Sequence, residues 1–137
     1  MQEYVEQCRY NQELLDTLDE KFPDKYFDWK ITIAFYVAIH CIKAILKNKL
    51  KRNVSSHEEI IKIISHKQNT KNSPVSKSCW DMYYALYATS RDVRYNGFTD
   101  FEAFNEHNRI EYGICKSHMT NIMKYSHHKQ NIPVLVE

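Results

Sequence analysis

The sequence predicts an all-α protein: an antiparallel up-down bundle of four long helices plus one short helix. Residues 1–132 form a single bundle domain and residues 133–137 a C-terminal tail. Three observations predict this. Only two glycines occur in 137 residues, too few for the turns of a sandwich or barrel and too few for a glycine-rich phosphate loop. Apolar residues recur at steps of three and four, the helical period. The joining segments are short, polar and marked by proline. A chain of this length buries one sizeable core without disulfides or metal.

The first helix is expected over 2–18, where Tyr4, Cys8, Asn11, Leu15 and Leu18 share one face. Pro23 breaks it, and "FPDKY" is the connection. The second helix is expected over 28–49. Its β-branched content also suits a strand, but its polar positions decide. Thr32, Tyr36, His40, Lys43 and Lys47 follow steps of four, four, three and four. On a helix they form one narrow stripe, whereas a strand scatters them over both faces. Everything else is apolar, so this helix is buried around most of its circumference. The third helix begins at Ser56, which with Glu59 makes a capping box, and is short, about 56–67. "KQNTKNSPVSK" is a loop. The fourth helix, 75–95, carries an apolar stripe of Cys79, Met82, Leu86 and Val93. Roughly opposite lies a second stripe of Trp80, Tyr84, Tyr87, Arg91 and Arg94, and Asn96-Gly97 supplies the stop. The fifth helix, 100–128, starts from Thr99 or Asp100 as N-cap and turns Phe104, Ile114, Cys115, Ile122 and Tyr125 to the core.

The net charge of +2 excludes the global basic field of a dedicated DNA binder. Cys8, Cys41, Cys79 and Cys115 are far apart without a Cys-x-x-Cys pair, which reads as buried thiols in a reducing compartment. The N-terminus is polar from the start, unlike a signal peptide. The most apolar run, "ITIAFYVAIHCIKAIL", has 16 residues, short of the roughly 20 that cross a bilayer, and it contains His40 and Lys43. The chain is therefore expected to be cytoplasmic and not membrane-bound.

Two stretches carry a family resemblance. "AFYVAIHCIKAIL", 34–46, resembles the second helix of HEPN domains, which has a Tyr-x-Ala-x-His-like run. "SRDVRYNGF", 90–98, resembles their late helix, where an Arg is followed by a polar residue and, further on, a Tyr at the helix end. The resemblance spans about 28–125. It implies a helical bundle of the kind found in toxin–antitoxin or defence systems, often a metal-independent ribonuclease working in a dimer cleft. Such enzymes pair an Arg and its polar neighbour with a His a few positions on. The imidazole moves a proton near neutral pH, and the guanidinium holds the phosphate. Arg91 and Asp92 match the first half of that pattern. Asn96 stands where the His belongs, and Asn cannot take a proton at neutral pH. Loss of a general acid–base group lowers rate by about 10²–10⁴. The expectation is thus a protein that binds RNA, a nucleotide or a partner without the usual nuclease pair, needs no cofactor, and forms a homodimer. A nucleotidyltransferase-like protein is the partner that the toxin–antitoxin reading implies. The alternatives are an atypical ribonuclease, in which His40 or another His serves Arg91, and a structural helical adaptor with Arg91–Asp92 as a helix-end ion pair.

Other residues have two readings each. Trp80, Tyr84 and Tyr87 can stack bases beside Arg91 and Arg94, but aromatics at helical spacing more often pack, and an interface between two copies is favoured. Lys43 and Lys47 can hold phosphate, or simply complement the helix dipole together with Lys49, Lys51 and Arg52. His107, Glu111 and His118 lie on one face of the fifth helix, but Glu111 and His118 are two turns apart, too far for one ion, so no metal is expected.

Overall fold

A computed structural model describes residues 1–95 and 100–135, without the side chains of Arg94 and Tyr95. The described residues form five helices: α1 Gln2–Lys21, α2 Phe27–Leu50, α3 His57–Ile64, α4 Lys77–Tyr95 and α5 Phe101–Lys129. Asn96-Gly97 and Thr99 lie outside the described residues.

Each helix starts where local chemistry permits. Ser56 caps α3 by accepting from the Glu59 N–H at 3.1 Å. Ser76 does the same for α4 through Cys79 N–H at 3.1 Å. Asp100 caps α5 through Glu102 and Ala103. Scarcity of glycine leaves other residues to take left-handed backbone: Tyr26 (φ 63°) before α2 and Lys51 (φ 61°) after it. The Lys51 N–H closes α2 on the Lys47 carbonyl.

Side-chain contacts fix the directions. Asp19, late in α1, meets Lys30, early in α2, while Tyr4 and Asn53 meet at the opposite end, so α1 and α2 are antiparallel. Lys49 reaches the Pro74 carbonyl just before α4, and the Ser76 N–H reaches Tyr125 late in α5. Hence α4 opposes both α2 and α5, and the chain runs up and down through α1, α2, α4 and α5. α2 is the central element, packed against α1, α4 and α5. Thirteen of its 24 residues are buried. Between Ile31 and Lys47 the residues left unburied are Thr32, Tyr36, His40, Lys43 and Lys47, together with Ile33, so the polar stripe is the side α2 leaves open. At 24 residues α2 is also long and apolar enough to cross a membrane by length and composition. Its contacts with three helices account for that composition within the bundle.

Three expectations need correction. Trp80 is only 5% exposed and belongs to the core, because it lies near the start of α4 under the α3–α4 connection. Ile114 is 49% exposed; the buried face of α5 runs instead through Asn108, Tyr112, Cys115, Met119, Ile122 and Ser126. The start of the expected 133–137 tail does not trail away: Val134 is buried, and Arg9 donates to the Pro133 carbonyl. All four cysteines are free and buried, with the Cys8 and Cys41 sulfurs 3.3 Å apart.

At the α1–α2 turn sits a charge cluster. Lys30 is fully buried and donates to the Phe22 carbonyl, with Asp19 at 3.5 Å and the Phe27 ring 4.7 Å below the ammonium. Asp19 also accepts from Tyr112 at 2.9 Å and Lys116 at 2.6 Å. Burial pushes the Asp19 carboxyl up, but these hydrogen bonds and the two ammonium groups outweigh it and hold the carboxyl below its usual range.

Candidate functional site

The open stripe of α2 faces a cavity of about 430 Å³ bounded also by the start of α3 and by α4. α2 contributes Tyr36, His40 and Lys43, one above another at helical spacing. The Ser56 cap starts α3 so that His57 is its first residue. From α4 comes Tyr87, with the buried Tyr83 one turn before it and Arg91 one turn further on.

His57 is held by three aromatic neighbours. Its Nδ1 is hydrogen-bonded to the Tyr83 hydroxyl at 2.9 Å. Its ring stacks on Tyr87, with centroids 4.1 Å apart and planes 30° apart. Phe35 meets it edge-on at 5.7 Å. Burial pushes the Tyr83 phenol far up, so it stays protonated. His40 lies across the cavity wall. Its Nδ1 is 2.7 Å from the Tyr36 carbonyl, so Nδ1–H donates and the lone pair of the neutral ring is on Nε2. Burial lowers the His40 pKa, the nearby Lys43 lowers it further, and the backbone hydrogen bond only partly compensates. His40 is therefore neutral at pH 7 and able to accept a proton or a hydrogen bond.

Arg91 and Asp92 are exposed, and neither has a hydrogen bond or ion pair among the described residues. They do not pair with each other. Ser90, beside them, is fully buried with its hydroxyl lacking a partner among the described residues, as does the Asn108 amide nitrogen on α5. Asn96 and the Arg94 side chain lie outside the described residues. Of the aromatic stripe, Tyr84 alone is exposed, at 49%; Trp80 is core and Tyr87 is half-buried against His57. Of the basic cluster, Lys49 is engaged with the Pro74 carbonyl and Arg52 with Glu59, whereas Lys43 has no ion pair among the described residues. His107 is exposed, and no group of three or more metal-ligating side chains forms among the described residues.

Sequence reasoning brought out His40, Lys43, Tyr87 and Arg91 but missed His57, Phe35 and Ser55. The one sequence signal for His57 is its place right after the Ser56 cap. Nothing in the linear pattern ties it to Tyr83 and Tyr87, which are 26 residues and more away.

The chain matches no family model, no curated protein and no solved structure.

Proposed function

We propose that this chain is a divergent HEPN-like bundle of four long helices and one short one, cytoplasmic, of the toxin–antitoxin or defence kind, that acts by binding. Its ligand is RNA or a nucleotide, its assembly is a homodimer, and a nucleotidyltransferase-like protein is its partner in that setting. One observation carries the reading. The guanidinium of Arg91, unpaired among the described residues, stands one turn beyond Tyr87 and a ring-lined cavity that also holds Lys43, with Lys47 one turn further along α2. Cations bordering stacked rings are what a single strand needs, phosphates on the charges and bases on the π-faces. The Arg…His pair is absent at Asn96, so ordinary nuclease chemistry has no proton carrier in sequence.

The test is fluorescence anisotropy of a labelled single-stranded RNA at low salt. Binding should weaken as salt rises, and Arg91→Ala should lower both the affinity and the salt slope. No binding at 50 mM salt leaves the adaptor reading in its place.

The second reading is an atypical ribonuclease, favoured by the His57 ring seated on Tyr87, one turn from Arg91, and by the neutral His40 nearby. Incubation with total RNA separates the two. Cleavage abolished by Arg91→Ala and by His40→Ala establishes the enzyme; intact RNA retains the binding protein.

A further inference from the structure

We infer that the cavity between α2, α3 and α4 is a binding site for a small aromatic phosphate the size of a nucleoside monophosphate, its ring inside and its phosphate at Lys43. The inference rests on the binding reading above and adds which part of the molecule holds the ligand and what the ligand is.

The cavity has two chemically distinct parts. Its interior is built of flat and aliphatic surface: Phe35, the Tyr87–His57 stack, Ile39 and Ile60. Flat walls favour a planar ligand, since offset and edge contacts add to the area buried. The stack is held by the Tyr83 hydroxyl from below, so these walls are in place before a ligand arrives. Its mouth is polar and one-sided. His40, Lys43 and the Ser55 hydroxyl line it, and the nine lining residues include no carboxylate. Lys43 thus brings an ammonium that no anion of the described residues neutralises. An anionic ligand restores that balance, and a phosphate gives the ammonium several oxygen acceptors. Neutral His40 offers the Nε2 lone pair to a ring N–H or amino group, because its Nδ1 is already committed to Tyr36. Tyr36 is 45% exposed at the rim, where its ring can close over the ligand. A volume of about 430 Å³ lies within the roughly 300–1,000 Å³ of small-molecule sites.

The same chemistry has two sources, a free nucleotide and the phosphorylated end of an RNA strand. Calorimetric titration of the full chain tests both. The probes are adenosine 5′-monophosphate, adenosine, ribose 5-phosphate, and a short oligoadenylate with or without a 5′-phosphate. The monophosphate should bind about tenfold more tightly than either fragment, the change expected from losing one good ring or phosphate contact. Lys43→Met should weaken the monophosphate about tenfold and leave adenosine unchanged. Tyr36→Ala should weaken the monophosphate and adenosine but leave ribose 5-phosphate unchanged. Tyr36 is exposed and Lys43 only half-buried, and neither belongs to the buried core, so the fold tolerates their loss, and circular dichroism verifies it. A free nucleotide as natural ligand binds more tightly than the 5′-phosphorylated oligonucleotide; a strand end reverses the order. Binding of ribose 5-phosphate as tight as the intact monophosphate, or no response to either variant, overturns the site. RNA binding that depends on Arg91 but not on Lys43 or Tyr36 overturns it too, while leaving the broader reading in place.

Discussion

Asp19 shows how much one side chain can hold. Among the described residues it is the carboxylate that pairs with both Lys30, which is fully buried, and Lys116, and it joins α1, α2 and α5. Asp19→Asn leaves the Lys30 ammonium in the core with only a carbonyl and two rings. Such uncompensated burial destabilises by about 3 kcal/mol, and urea denaturation should show it. Lys30→Met should be much milder, because Asp19 keeps Lys116 and Tyr112 and a thioether packs where the stem did. Equal losses for the two variants would count against this view. His40 makes a pH prediction. Its folded pKa is lower than the ordinary 6.5, so the unfolded chain binds the extra proton first as pH falls. Stability is then complete above that value and declines below it; Asp19, whose folded value is depressed below 3.8, extends the loss to lower pH. The urea midpoint should drop between pH 7.5 and 5.5, and His40→Gln should flatten that slope. An unchanged slope would show that His40 is not the group responsible.

Helix by helix, the sequence pattern locates an element where one residue type decides. Ser56 and Asp100 cap as their chemistry requires. The stripe on α2 emerged intact because a central helix must turn every polar residue to its one open side. On α5 the apolar pattern does not mark the buried face: Ile114 is outside and Asn108 inside. This 29-residue helix packs on both α2 and α4, so where those neighbours lie sets its buried face and apolarity alone does not locate it. The ends of α2 carry a further consequence. Lys51 holds left-handed backbone with no side-chain hydrogen bond among the described residues to repay it. Lys51→Gly should stabilise the protein by about 0.5–1 kcal/mol, seen as a higher urea midpoint. A loss of stability would mean that the lysine stem packs on the helix end.

For the molecule as a whole, the pressing question is assembly. The proposed homodimer was expected to use Trp80, Tyr84 and Tyr87, but the bundle consumes Trp80 and most of Tyr87 internally. Among its described side chains α4 still exposes Tyr84 and Arg91, of the types that interfaces favour. Light scattering after size exclusion should report a dimer at tens of micromolar. Tyr84→Glu should shift it to monomer without changing the melting curve. A monomer at that concentration removes the dimer and with it any site shared between two copies.

The sequence by itself determined that this chain is helical, where its helices begin, which single side of α2 stays open, and that Arg91 has no histidine at the expected spacing. These follow from local rules: caps, helical period and the scarcity of glycine. Only the tertiary structure decided that His57 joins Tyr83 and Tyr87, that Trp80 is core, and that a ring-lined cavity opens beside Lys43. Those contacts link residues far apart in the chain, and the period of one helix carries no information about which neighbour it will meet.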